Sequence, residues 1–391
     1  MTDAPAACMV AYANYFNDAR IKNYVDALLK AGYEVDVLAL GQSESPRPGL
    51  RVISLMSKVA SNRALSYVIS QSWFFLLALF RLGKLSAVRR YRFVHVHNMP
   101  NFIVFSAIVP KILGARVILD VHDTMPEAYA TKFDIDLHHP LVRLLRAEER
   151  LSAAFADLVI TTNDLHREAL IGHGLPARKI ATIMNLGNPA IFRPRRPSTA
   201  RPGLVLGYHG TVAERLGIDL IIHALHRARP RCPGLRFLLL GDGEFMPTVR
   251  RLVADYALQD SVTLCGWVPV ERLPAELAEV DVGVVGNRHA TEVRHNWMLP
   301  VKMLEYAAME IPTIAPRLRV ISHYFDEHSA LLYTPDSPAD LARAIEEAYT
   351  QPERLARIRQ GLRDFNARYS WPSMERRYLE LMTGLGGGVA A

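Results

Sequence analysis

The sequence predicts an α/β fold of two doubly wound domains, each with a parallel sheet between layers of helices. Three observations carry this reading. Short runs rich in β-branched residues are apolar throughout rather than alternating, as strands covered on both faces must be. Helix-length amphipathic stretches separate them, which is the spacing that parallel crossovers need. The whole pattern occurs twice in 391 residues, more than a typical single domain holds.

In the first half the predicted strands are 34–40, 93–97, 116–121 and 157–161, with a helix over 21–31 after the first loop. In the second half they are 204–208, 235–240, 261–264, 281–285 and 313–315. Between the halves runs Phe192-Arg193-Pro194-Arg195-Arg196-Pro197-Ser198-Thr199-Ala200-Arg201-Pro202, whose prolines and arginines read as a linker. The expected organisation is an N-terminal domain over 1–192, a linker over 193–203, and a second domain over 204–370. A last helix and tail, 371–391, are expected to return to the N-terminal domain. Sheets of this kind bind ligands beyond the carboxyl ends of their strands, so two such domains are expected to face a central cleft.

Composition narrows the function. The net charge is +7, from 46 Lys and Arg against 39 acids. No long basic block accompanies it, which argues against nucleic acid and leaves anionic substrates or an anionic membrane surface. Cys8, Cys232 and Cys265 are few, odd in number and scattered, so a reducing compartment without disulfides is expected. The start of the chain does not read as a signal peptide, and the expected location is cytoplasmic. The uncharged segment 64–80 contains Trp73-Phe74-Phe75-Leu76-Leu77 but falls short of the roughly 20 apolar residues of a spanning helix. It reads either as a core helix or as a helix lying on a membrane. No Gly-x-Gly-x-x-Gly follows the first strand, and P-loop and Gly-x-Ser-x-Gly motifs are absent. These absences count against a dehydrogenase, a kinase and a typical hydrolase.

The segment Pro300-Val301-Lys302-Met303-Leu304-Glu305-Tyr306 is the most informative. Proline suits the first helical position, and residues three apart share a helix face. Lys302 and Glu305 therefore point the same way, next to the free N–H groups of a helix start. Alone, this reads as a surface ion pair. Beside the other motifs it reads as a clamp for a diphosphate joined to a ribose.

Gly207-Tyr208-His209-Gly210-Thr211 closes a strand, and small residues there let a ligand approach the backbone. Arg215 reads as a fork onto a diphosphate or as a solvated side chain. Gly241-Asp242-Gly243-Glu244 is a turn first and a ligand loop second. Trp267, after another strand, is placed to pack on a base or on the core, with packing slightly favoured. In the first half, His122 follows a strand and is flanked by polar residues, which favours a place at the ligand edge over a purely structural one. Asp18 caps the next helix or, with Arg20, faces an acceptor, with the cap slightly favoured. His95 and His97 share one strand face, but no third ligand at metal-binding spacing is evident, and no metal is expected.

Together these segments resemble the family 4 glycosyltransferases of polysaccharide biosynthesis in bacteria, retaining enzymes of the GT-B fold. The resemblance rests on Asp18-Ala19-Arg20, Val96-His97-Asn98-Met99-Pro100 and Asp120-Val121-His122-Asp123-Thr124-Met125-Pro126-Glu127. It continues through 156–162, 183–188, Tyr208-His209-Gly210-Thr211, 241–244 and 300–306. It implies a nucleotide-diphosphate sugar as donor and a glycan or polyprenyl-diphosphate-linked acceptor, with no cofactor. Arg215 and Lys302 would neutralise the diphosphate, and Glu305 would hold the ribose. His122 would line the reaction centre. Gly210, Thr211, Gly241, Trp267, Pro300 and Val301 would complete the donor site. The family's pattern puts a glutamate eight positions before Glu305; here Trp297 stands there, with Glu292 off register, so Trp297 or Asn296 is expected to contact the sugar differently. The departure also keeps two alternatives open: a non-catalytic protein of a polysaccharide assembly that only binds sugar nucleotides, and a nucleotide-sugar epimerase.

Overall fold

In a computed structural model, which describes residues 4–57, 64–132, 135–194, 203–289 and 297–384, the chain forms two units. Unit 1 comprises Met1–Met184 with Pro372–Ala391, and unit 2 comprises Asn185–Trp371.

Unit 1 is built on an eight-stranded sheet. Its strands are β1 (Ala6–Asn14), β2 (Glu34–Leu40), β3 (Glu44–Arg47), β4 (Leu50–Met56), β5 (Tyr91–His97), β6 (Arg116–Val121), β7 (Leu158–Thr161) and β8 (Ile180–Thr182), in the order β3-β4-β2-β1-β5-β6-β7-β8. Every pairing is parallel except β3 with β4. Six helices of this unit are α1 (Ala19–Lys30), α2 (Ala64–Val88), α3 (Ile108–Ile112), α4 (Met125–Lys132), α5 (Pro140–Phe155) and α6 (Asp164–Gly172). The antiparallel strand β3 was not legible in the sequence. It is charged, contains Pro46 and lies at the sheet edge, where a missing ladder donor is tolerated.

Helix α2 outruns the uncharged segment and resolves the two readings of that segment in part. Phe74, Ala78 and Leu82 are fully buried against the sheet, whereas Ile69, Trp73, Leu76 and Phe80 are exposed. The exposed residues follow at spacings of four, three and four, one continuous stripe of a helix. The helix is therefore core on one face and apolar on the face turned to solvent. Its stretch Val68–Val88 is long and apolar enough to cross a membrane, with 33% of it buried in the protein.

Unit 2 carries a six-stranded parallel sheet in the order β11-β10-β9-β12-β13-β14. The strands are β9 (Val205–His209), β10 (Arg236–Leu240), β11 (Val262–Gly266), β12 (Val282–Val284), β13 (Thr313–Pro316) and β14 (Leu331–Tyr333). The helices between and after them are α7 (Ile218–Ala228), α8 (Met246–Asp255), α9 (Leu273–Glu276), α10 (Val301–Ala308), α11 (Arg319–Tyr324), α12 (Pro338–Thr350) and α13 (Pro352–Arg368). The final helix α14 (Trp371–Gly384) belongs almost wholly to unit 1. There Tyr378 is fully buried and packs its ring 4.5 Å from Tyr24 of α1.

The domain boundary lies earlier than the composition suggested. Residues 185–192 belong to unit 2 rather than to the first domain. Phe192 sits in a core cluster with Leu240, Leu277, Val280, Tyr306 and Met309, so its burial ties the segment to the second sheet. Of the expected linker, 195–202 lies outside the described residues.

Candidate active site

In unit 2 the carboxyl end of β9 and the start of α10 meet. Tyr306 donates its hydroxyl to the carbonyl of Gly207 (2.8 Å) and is fully buried, which pins the helix to the strand. Gly283 lies against the same ring; a Cβ there would collide with it. Two residues one helical turn apart then dock on consecutive residues of β9. Lys302 Nζ donates to Tyr208 Oη (3.1 Å) and lies 4.4 Å from that ring's centroid. Glu305 Oε2 is 2.6 Å from His209 Nε2. Burial pushes the Lys302 ammonium down, Glu305 holds it up and Arg215 pushes it down again, leaving its pKa at about 8. Glu305 and the exposed Arg215 thus both act electrostatically on Lys302.

The loops beside them abut without side chains. Gly210 has φ +106°, which favours glycine, and a Cβ there would reach the Lys302 stem at 3.8 Å. A Cβ on Gly241 would collide with the Gly210 carbonyl, so Gly241 brings the loops after β9 and β10 together. Thr211 is exposed, and its carbonyl accepts from Tyr208 Oη (2.6 Å).

Three expectations need correction or limits. Pro300 is the cap residue before α10, not its first residue; the helix begins at Val301, which is 42% exposed. Trp267 is 69% exposed, so core packing is not its role. Trp297 is half-buried, and Glu292 and Asn296 lie outside the described residues.

In unit 1 the carboxyl ends of β5 and β6 gather a second set of groups. His122 Nδ1 is 3.1 Å from Asp120 Oδ1, and Asn98 Oδ1 accepts from the His122 backbone N–H (2.9 Å). Asn98 Nδ2 donates to the Asp123 carbonyl (2.7 Å), so one amide clamps the turn that carries His122. Burial holds the His122 imidazole below its ordinary pKa, and Arg20 adds to this against the pull of Asp120. Asp18 Oδ1 accepts from the N–H groups of Arg20 and Ile21 (both 3.1 Å), so it is a helix cap. The sequence lacked a third ligand near His95 and His97; the β5–β6 ladder supplies Asp120, paired in register with His97.

Known proteins are similar to this chain in sequence and in fold. Residues 18–185 match the family described as glycosyl transferase 4-like domain, and residues 203–351 match glycosyl transferases group 1. This chain belongs to the family 4-type glycosyltransferases. The glycosyltransferase is 24% identical to a phosphatidylinositol N-acetylglucosaminyltransferase chain of Arabidopsis thaliana, over 96% of this chain and 82% of that protein. It is 21% identical to the alpha-D-kanosaminyltransferase of Streptomyces kanamyceticus, over 64% and 66%. Its fold is GT-B. Sucrose-phosphate synthase from Thermosynechococcus elongatus superposes with a TM-score of 0.76 at 18% identity, covering 97% of this chain and 99% of that one. Anabaena HepE in complex with UDP gives 0.71 at 14%, covering 97% and 100%.

Several partners of the glycosyltransferase's motifs were not legible as such. His209 lies within the strand-end motif 207–211 with no role of its own in the sequence, yet it holds Glu305. Glu127 closes the motif that His122 opens and is buried in a network spread over distant sequence. His173 lies 3.2 Å from Glu127 and 2.7 Å from Glu149, and Arg146 donates to Glu127 (3.3 Å). Burial disfavours the charged imidazole, but the hydrogen bonds to Glu127 and Glu149 raise the His173 pKa to about 9. The signal was a glutamate doublet on α5, which reads as a solvated helix face until α6 is packed beside it.

The raised value has a consequence for stability. A histidine titrating near 9 in the fold and near 6.5 when unfolded stabilises fully below the lower value and loses that contribution as pH rises through the upper one. Between pH 7 and 10 the thermal midpoint of the wild type is expected to drop relative to that of His173→Gln, a comparison in which the opposite contribution of Lys302 cancels. Parallel curves for the two proteins would contradict the assignment.

Proposed function

We propose that the protein is a retaining glycosyltransferase that transfers a sugar from a nucleotide-diphosphate sugar to a glycan or polyprenyl-diphosphate-linked acceptor. The observation that carries this is the joint docking of Lys302 and Glu305 on the end of β9. A helix N-terminus and two cations suit a diphosphate, and the second oxygen of Glu305 suits a ribose hydroxyl. In this reading Gly210 and Gly241, which abut beside Lys302, are joined in the donor site by Thr211, Pro300, Val301 and Trp267, whose exposed ring would meet a base. A relative of the same fold with bound UDP supports this donor class. The relative from Arabidopsis, whose name includes phosphatidylinositol, supports a lipid-linked acceptor.

In this reading the nucleoside diphosphate departs and leaves an oxocarbenium-like sugar. The acceptor hydroxyl attacks from the same face, and the leaving phosphate takes its proton. Arg215 and Lys302 stabilise the charge developing on the diphosphate, and His122 lines the reaction centre. No cofactor enters the chemistry. Exopolysaccharide, capsule or O-antigen synthesis is the setting we assign, at the cytoplasmic face of a membrane. The direct test incubates purified protein with UDP- and GDP-sugars and a polyprenyl-diphosphate glycan, and reads the anomeric configuration by NMR. A retained anomer is the expected product. An inverted product would refute the mechanism; nucleotide binding without turnover would favour a non-catalytic binding protein, and an altered donor without acceptor would favour an epimerase.

The α2 stripe deepens the location. Arg81 and Lys84 are exposed beside Phe80, so apolar and cationic groups share one face, as contact with an anionic leaflet requires. Each ring withdrawn from water contributes about 1.5–3 kcal/mol. The double change Trp73→Ser and Phe80→Ser is therefore expected to weaken binding to phosphatidylglycerol vesicles by about tenfold or more, with the melting curve retained. Phe74 is unsuited to this test because it lies in the core. Vesicle binding unchanged in the double variant would remove the stripe from the interface.

A further inference from the structure

We propose that His95, His97 and Asp120 form a divalent-cation site, most suited to zinc, buried beneath His122 in unit 1. His95 and His97 alternate on β5 and so share a face, and Asp120 faces them from the neighbouring strand. His95 Nε2 and His97 Nδ1 lie 3.5 and 3.2 Å from the same atom, Asp120 Oδ2. The three donor atoms all lie within 4.8 Å of one another. Ligands about 2.0–2.1 Å from a tetrahedral zinc stand roughly 3.3–3.4 Å apart. Two edges of the trio already have that length, and a small ring rotation would close the third.

The hydrogen bonding points the same way. At 3.2 and 3.5 Å a ring N–H aimed at the carboxylate would be bonded to it. Instead His95 Nε2, His97 Nδ1 and Asp120 Oδ2 are all buried and fall short of good hydrogen-bond geometry, although both rings act on the Asp120 carboxylate. Buried polar atoms left so are costly, and one cation would satisfy all three together. The outer shell of such a site is also built. His95 Nδ1 is 3.0 Å from Tyr378 Oη, on the returning helix α14, which fixes the ring with Nε2 toward Asp120. The His95 and His97 rings stack, with centroids 4.4 Å apart, so one ring must turn for both in-plane lone pairs to meet a shared ion. A water would complete the shell. The remaining carboxylate oxygen, Oδ1, faces His122 Nδ1. The ion would thus be structural: it fixes Asp120, and through Asp120 the imidazole at the reaction centre.

The test strips the purified full-length chain with a chelator and returns zinc or cobalt under metal-buffered conditions. Expected are one zinc per chain by elemental analysis, a higher melting temperature on adding zinc, and loss of the bound zinc in His97→Asn. Cobalt should give the visible absorption of a tetrahedral ion without a sulfur-to-metal band, a readout on the wild type that does not depend on the variant folding. Less than about a tenth of an equivalent of metal with no thermal shift would overturn the proposal and leave a protein-only His–Asp network. Full zinc content in folded His97→Asn, or a sulfur band from a cysteine, would overturn it too.

Discussion

Lys302→Ala is expected to lower kcat/KM for sugar transfer by about 10²- to 10³-fold, the usual loss when one preorganised donor to a developing negative charge is removed. The fold should survive, because the change removes a half-buried ammonium held below its ordinary pKa rather than a core side chain. Its contacts with Tyr208 are a single hydrogen bond and a ring face. Glu305 calls for a different replacement. Alanine would strand His209 Nε2, which Glu305 holds at 2.6 Å in a buried position. Glu305→Gln keeps a partner for that ring and removes the charge, so it isolates the grip on the ribose. Its loss should fall mainly on KM for the donor. Wild-type kcat/KM in Lys302→Ala, with the protein folded, would remove the donor site from this end of β9.

Donor affinity should fall about tenfold per pH unit above pH 8, the second large effect. Lys302 titrates near 8 in the free protein, because burial and Arg215 outweigh the opposing pull of Glu305. A bound diphosphate holds the ammonium charged, so the complex keeps a proton that the free protein releases as pH rises. Binding is then full below 8 and is lost progressively above it. The stability of the free protein runs the other way. A lysine lowered from 10.5 to about 8 binds more protons when unfolded, so this group's contribution to stability rises between those values. Calorimetry with UDP or GDP in buffers of different ionisation enthalpy measures the proton uptake directly. Uptake that is absent at pH 9, or unchanged in Lys302→Met, would assign the pH dependence to another group.

Most strands and the two repeated halves were legible because fully covered strands are written as unbroken apolar runs, whereas β4 and the three-residue strands β8 and β14 were not among those predicted. The predicted strand 116–121 matches β6, and 235–240 matches β10 to within one residue. The same rule hid β3, which is polar because it is an edge. It also misplaced the domain boundary. Phe192 reads as the last residue before a proline- and arginine-rich run, yet what decides its domain is the set of side chains it is buried among. The site followed a similar division. Lys302 and Glu305 were legible because helical spacing alone puts them on one face. Trp267 was misjudged because a tryptophan after a strand carries no mark of which side it will take.

The chain's own order of residues determined the α/β class, the helix that presents Lys302 and Glu305, the cap made by Asp18 and the apolar character of α2. These depend on neighbours within a few positions, where backbone geometry fixes direction. The tertiary structure alone decided that His209 holds Glu305, that Arg215 depresses Lys302, that Asp120 joins His95 and His97, and that α2 leaves one apolar stripe uncovered. Each depends on groups far apart in the chain, brought together by strand order and by the burial of the residues between them.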